Sequence, residues 1–168
     1  LKQRIYCNGI QVARVDKEEP LNWSPNQSAN SLDYSEYDVI ILSDYDKGVL
    51  MRPWFFKPKK TNVILDPKNE RYEHLFMHSN IITPNLNELK KLSEININSI
   101  DSIVNACNKL IKENNFDYVI AKKGDKGMTI VGKQDFIKHI ESHKVNNPDV
   151  TGAGDTVIAA LSIAYAKT

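Results

Sequence analysis

The sequence predicts an α/β fold with a mostly parallel central sheet flanked by helices, and three observations predict it. First, "DVIIL" (38–42), "NVIL" (62–65), "NIIT" (80–83) and "DYVIA" (117–121) are short, continuous apolar runs rich in β-branched residues. Strands buried on both faces have this pattern. Second, "IDSIVNACNKLIKENN" sets Ile100, Ile103, Val104, Cys107, Leu110 and Ile111 at helical spacing between the last two runs. Strands of parallel type alternating with helices build a layered α/β domain. Third, each run is followed by small, charged or amide residues: "SDYDKG", "DPKNERY", "PNLNE" and "KKGDKG". Ligands of open α/β sheets gather at the carboxyl ends of the strands, so these exits point to a polyanion site, although the same residues also form turns.

The remaining elements follow in order. "RIYCNGIQVARV" is two β-like runs around Asn8-Gly9, a dipeptide suited to a two-residue type I′ hairpin. From Glu18 to Glu36 the chain turns to Pro, Asn and Ser and reads as a loop with at most a short helix. "MTIV" and "DFIKHI" form a strand pair around Gly132. From Val157 to Ala166 the last segment is apolar nearly all round and is expected to be a buried helix.

Composition narrows the function. The 168 residues suffice for one domain with a real core, and a formal net charge of +1 offers no basic field for nucleic acid. Cys7 and Cys107 form no CxxC pair and read as free thiols in a reducing compartment, hence a cytoplasmic protein. No run is long enough to cross a membrane, and nothing near Leu1 resembles a signal peptide. The chain starts with Leu1 rather than Met and stops within a helical pattern at Lys167-Thr168, so both ends read as cut. Repeats and low-complexity segments are absent.

The segment "DVTGAGDT" (149–156) carries the most chemistry. Thr151 is the expected N-cap, and Gly152-Ala153-Gly154 would present bare backbone N–H groups at a helix start, where an anion is bound by free donors and partial positive charge. Asp155 falls in the first turn. It could merely complement the helix dipole, for a few tenths of a kcal/mol. A carboxylate beside an anion hole is also what phosphoryl transfer requires, the amides stabilising charge while the aspartate takes a proton from the attacking hydroxyl.

Other phosphate and metal motifs fail. Gly127 to Lys133 satisfies most of a Walker A pattern, but Gln134 replaces the Ser/Thr and the middle reads as a strand. Val157 stands where a dinucleotide fingerprint needs a third small residue. The pairs His74/His78 and His139/His143 lack the glutamate of a zinc protease motif.

"DVTGAGDT" resembles the C-terminal signature of the ribokinase-like (PfkB) carbohydrate kinases, and "TPNLNE" (83–88) resembles their Asn-x-x-Glu element. "SDYDKG", "LDPKNERY" and "KQRIYCNGIQVARVDKEE" are similar to the heptose-phosphate kinase branch, the kinase domain of bifunctional heptose-phosphate kinase/ADP-heptose synthases. The resemblance runs from about Lys2 to Ala166. It implies a partial kinase domain over 1–168, with a lid hairpin at 1–16 and a nucleotide-binding and catalytic core at 38–168. It also implies ATP-dependent phosphorylation of D-glycero-β-D-manno-heptose 7-phosphate at O1, in lipopolysaccharide inner-core synthesis. Full-length family members imply a homodimer.

Carried over by position, Asp155 is the general base and the Gly152–Gly154 amides are the anion hole, with Thr151, Gly152, Ala153 and Gly154 all at the nucleotide. Asn85, Leu86, Asn87 and Glu88 lie at the ATP phosphates and Mg²⁺, with Asn85 and Glu88 reaching the metal through water, as hard Mg²⁺ prefers. Lys123 and Gly124 match a nucleotide-contacting loop, where many members have Thr or Ser near Lys122. Asp44 and Lys47 match the heptose-kinase pattern, although a buried ion pair would explain them equally; Lys68 could reach a phosphate. The family's N-terminal half, the region completing its adenine pocket and the nucleotidyltransferase domain are not in this chain, so the fragment alone is expected to be inactive. The segment between Gly48 and Val63 is short for a family helix and holds Pro53 and Pro58. The alternatives are another PfkB sugar or nucleoside kinase and a non-catalytic sugar- or nucleotide-binding module.

Overall fold

The computed structural model describes residues 2–8, 10–17, 33–50, 60–68, 73–143 and 152–166. Its elements are β1 (Lys2–Cys7), β2 (Ile10–Asp16), β3 (Val39–Ser43), β4 (Asn62–Asp66), α1 (Glu73–Phe76), β5 (Ile81–Ile82), α2 (Leu86–Ser93), α3 (Ile100–Asn114), β6 (Tyr118–Lys122), β7 (Met128–Gly132), β8 (Phe136–Ile140) and α4 (Ala153–Tyr165). Short 3-10 turns occur at Tyr34–Glu36 and Gly124–Lys126.

Strands β3 to β8 form one six-stranded sheet in sequential order. The pairs β3–β4, β4–β5 and β5–β6 are parallel, whereas β6–β7 and β7–β8 are antiparallel. The apolar runs are therefore parallel strands whose carboxyl ends share one edge of the sheet. Alternation along them divides the core in two, because successive side chains leave opposite faces. Val63, Leu65, Ile82, Val119, Ala121 and Val131 point to the larger cluster, with Leu89 and Leu92 of α2 and Ile103, Ala106, Cys107 and Leu110 of α3. Ile64, Ile81 and Ile120 point the other way, where Ile158 of α4 completes a smaller cluster with Leu161 and Tyr165 packed against it.

Three expectations about burial are corrected. Only Leu42 of β3 is buried and Ile41 is 41% exposed, because among the described residues β3 is the edge strand of the sheet. Helix α4 is not buried all round: Ile158 is buried, but Ile163 is 62% exposed, since the helix packs on the sheet through one stripe. Ile100, at the first turn of α3, is 45% exposed rather than in the core. Buried Cys107 has a thiol pushed up to about 12 by desolvation, while Cys7 is exposed; both are free.

Strands β1 and β2 pair antiparallel in a separate two-stranded sheet, with a register shift between Ile5 and Tyr6. Asn8 sits at φ 49°, as the first position of a type I′ turn requires; Gly9 lies outside the described residues. Ile5, Tyr6, Val12 and Val15 are all more than half exposed. In the second hairpin, Met128 to Gly132 is a strand, as expected, so no P-loop forms there. Gly127 is obligatory: a Cβ would lie 2.0 Å from the Ile140 carbonyl oxygen.

Candidate active site

The carboxyl ends of β3 to β6 carry Asp44, Tyr45, Asp66, Thr83 and Lys122, of which Tyr45 and Lys122 reach the N-terminus of α4. Asp66, the last residue of β4, is the hub. Its Oδ1 accepts from Lys122 Nζ at 2.6 Å and from Thr83 Oγ1 at 2.8 Å. Thr83 is fully buried, and the side chains of Asp66 and Lys122 are each 18% exposed. The Lys122 ammonium lies 3.6 Å from the position that a Cβ on Gly154 would take, so it underlies the glycine-rich start of α4.

That start differs from the expectation at one position. Thr151 lies outside the described residues, and the cap of α4 is Gly152, at φ 75° and ψ 5°, with no side-chain cap hydrogen bond. The first intrahelical bond runs from Thr156 N–H to the Gly152 carbonyl at 2.9 Å. The N–H groups of Ala153, Gly154 and Asp155 precede it and have no helical acceptor. Asp155 is exposed; its Oδ1 accepts from the Tyr45 hydroxyl at 2.8 Å, and Oδ2 lies 3.9 Å from where a Gly152 Cβ would stand. The bond to Asp155 is the main cause pushing the Tyr45 phenol upward, with slight desolvation adding to it.

Asn85 caps α2. Its Oδ1 accepts from the N–H groups of Asn87 and Glu88 at 2.9 and 3.0 Å, and Glu88 Oε2 accepts from the Asn85 N–H at 2.7 Å. This is a complete capping box, which leaves the Asn85 side-chain oxygen committed to backbone. Leu86 packs against the larger core, so its contribution is to seat the helix. Glu88 is 5% exposed, and its other oxygen, Oε1, lies 3.8 Å from Lys68 Nζ. Burial pushes the Glu88 carboxyl upward, opposed by the Asn85 N–H and by Lys122 and Lys68. Lys68 therefore stands beside Glu88, with its side chain 45% exposed.

Asp44 is also buried and raised, first by desolvation; the N–H groups of Asp46 and Lys68 act against that. The Asp46 N–H reaches its Oδ1 at 2.9 Å. Lys47 lies half-buried on the same loop. Lys123 and Gly124 follow Lys122 at the 3-10 turn, where Gly124 takes φ 63° and a Cβ added to it would meet nothing within 4 Å. Sequence reasoning gave no role to Tyr45, Asp66, Thr83 or Lys122. The available signal was their place, each at or just past the end of an apolar run.

The profile of the pfkB family of carbohydrate kinases matches residues 3–168. The chain belongs to this family. Among similar relatives, the "Bifunctional protein HldE" of Shewanella piezotolerans is 33% identical over 174 residues, covering 98% of this chain and 36% of that protein. The HldE protein of Geobacter sulfurreducens is 29% identical over 98% of this chain and 36% of its own length. The chain thus spans about a third of the length of these curated relatives. In three dimensions it is similar to the ribokinase of Thermotoga maritima, with a TM-score of 0.63, 28% identity, and coverage of 79% of this chain and 44% of that one. Arabidopsis thaliana ribokinase, solved with ribose and ATP, gives a TM-score of 0.58 at 27% identity, over 64% of this chain and 35% of that one. The fold is that of the ribokinase-like kinases. Among the described residues, no helix is long and apolar enough to cross a membrane.

Proposed function

We propose that the chain is the central part of a cytoplasmic, ATP-dependent kinase that phosphorylates D-glycero-β-D-manno-heptose 7-phosphate at O1, within ADP-heptose and lipopolysaccharide inner-core synthesis. The observation that carries the kinase reading is the Asp155 carboxylate standing over an uncapped, glycine-rich helix start with Lys122 beneath it. The family match and the HldE relatives support the sugar class.

In this reading Asp155 accepts the proton of the acceptor hydroxyl, and the Ala153 to Asp155 amides stabilise negative charge on the phosphoryl group. Lys122 and Lys68 add positive charge on the same side. Lys123 and Gly124 lie toward the nucleotide, while Asp44 and Lys47 face the sugar phosphate. The donor set also fits hydrated Mg²⁺: Asp66 and Glu88 offer hard carboxylate oxygens, and no group of three or more metal-ligating side chains occurs among the described residues. Such a set suits an ion that keeps most of its waters and rests chiefly on nucleotide phosphates. Bound there, the ion would neutralise phosphate oxygens. Asn85 contributes by holding Glu88, since its own oxygen is occupied. The β1–β2 hairpin, with Ile5, Tyr6, Val12 and Val15 exposed, suits a lid that covers the sugar and pairs with a second copy.

The test is coupled ATP turnover by the full-length protein with heptose 7-phosphate, ribose and fructose 6-phosphate, the product identified by ³¹P NMR. The highest kcat/KM is expected with heptose 7-phosphate, giving a 1,7-bisphosphate. A preference for another sugar would overturn the substrate, and ATP binding without turnover on any sugar would indicate a binding module. The 168-residue chain by itself is expected to turn over none of them.

A further inference from the structure

We propose that Tyr45 is a positioning residue for phosphoryl transfer: its hydroxyl holds Oδ1 of Asp155 and thereby assigns proton acceptance to Oδ2. The inference rests on Asp155 being the general base. An unrestrained carboxylate rotates and offers either oxygen. Here the two oxygens are distinguished: Oδ1 accepts from the Tyr45 hydroxyl at 2.8 Å, and Oδ2 lies over the Gly152 turn. The oxygen that Tyr45 does not hold is therefore the one left for the acceptor.

The loop that carries Tyr45 is built to hold it there. The Asp44 N–H donates to the Asp66 carbonyl at 3.0 Å, tying the loop to the end of β4. The buried Asp44 side chain receives the Asp46 N–H, and Asp46 and Gly48 turn the chain at φ 55° and 89°. Tyr45 thus bridges two segments 110 residues apart in sequence. The nearby carboxylate pushes the phenol upward, so it stays a protonated donor at neutral pH. In the step itself, the acceptor oxygen bonds to the γ-phosphorus as the bond to the β–γ bridging oxygen breaks and its electron pair leaves with ADP. The acceptor proton passes to Oδ2, and the Tyr45 proton does not move.

The experiment compares Tyr45→Phe, Asp155→Asn and the double variant in the full-length protein, using radiolabelled ATP and the preferred sugar phosphate. Tyr45→Phe is expected to lower kcat on the order of tenfold, as loss of a hydrogen bond to a charged group does, with both KM values nearly unchanged. In the Asp155→Asn background it should cause no further loss, because it acts through that carboxylate. Unchanged kcat in Tyr45→Phe beside an inactive Asp155→Asn would overturn the role of Tyr45 and leave the base intact. A raised sugar KM, or a loss that adds to that of Asp155→Asn, would make Tyr45 a substrate contact and overturn positioning. Full activity in Asp155→Asn would overturn the base reading itself.

Discussion

Helices α2 and α4 begin at the same edge of the sheet and solve the same problem in opposite ways. Each must deal with backbone N–H groups that have no acceptor in the first turn. At α2 the Asn85 side chain takes two of them and Glu88 accepts from the Asn85 N–H in return. Helix α3 does likewise with Ser99 and Ser102. At α4 the cap is Gly152, which has no side chain to offer. The comparison teaches that the two starts differ in what the chain itself supplies: side-chain acceptors for the amides at α2, none from the cap at α4. In the proposed reading the capped "PNLNE" start holds Glu88 in place, whereas the glycines of "TGAGD" face the reaction.

The largest expected effect lies at the uncapped end. Asp155→Asn should reduce kcat by about 10²–10⁴, the usual share of a positioned general base, while ATP affinity measured by calorimetry is retained. Loss of ATP binding with little change in kcat would place this carboxylate at the nucleotide instead.

Next comes Gly152→Ala. Its φ of 75° is left-handed, so an added Cβ should destabilise the protein by roughly 1–2 kcal/mol in urea unfolding. There is room for the methyl group, whose nearest neighbour is Asp155 Oδ2 at 3.9 Å. Unchanged stability would mean that the turn relaxes away from this conformation.

At the capped end, Asn85→Ala should cost about 0.5–2 kcal/mol of unfolding free energy, as removal of a helix N-cap does. If turnover fell at unchanged stability, the Asn85 amide would be meeting a ligand rather than the helix, and the contrast with α4 would fail.

The smallest effect concerns pH. Glu88 is raised above its ordinary value of 4.5, first by burial, so it favours the fold below that value and loses this contribution as pH rises through the folded-state pKa. Glu88→Gln should therefore gain in stability relative to the parent between pH 4.5 and neutrality. The same variant should need more Mg²⁺ for half-maximal rate. A thermal-unfolding difference that is flat across this range would show that the carboxylate is not desolvated as the structure has it.

Much of the fold was legible because apolar periodicity is local. The runs at 62–65, 80–83 and 117–121 are strands β4, β5 and β6, and the helical spacing after Ser99 is α3. Residue chemistry at 152–155 marked the helix start, and its family resemblance was legible for the same reason: the motif is contiguous. Burial was less legible. Ile41 and Ile163 are as apolar as Ile64 and Ile158, yet exposed, since exposure depends on which elements lie over a residue.

Sequence alone determined the strands β3 to β8, helix α3 and the start of α4, and which loop carries bare amides beside an aspartate. Only the tertiary structure decided that Lys122 pairs with Asp66 across 56 positions and that Tyr45 reaches Asp155 across 110. Those contacts are set by the parallel register of β3 to β6 and by the packing of α4 across the sheet. A hydrogen bond requires two atoms within about 3 Å of each other. No local pattern specifies that distance for residues so far apart; the stacking of strands does.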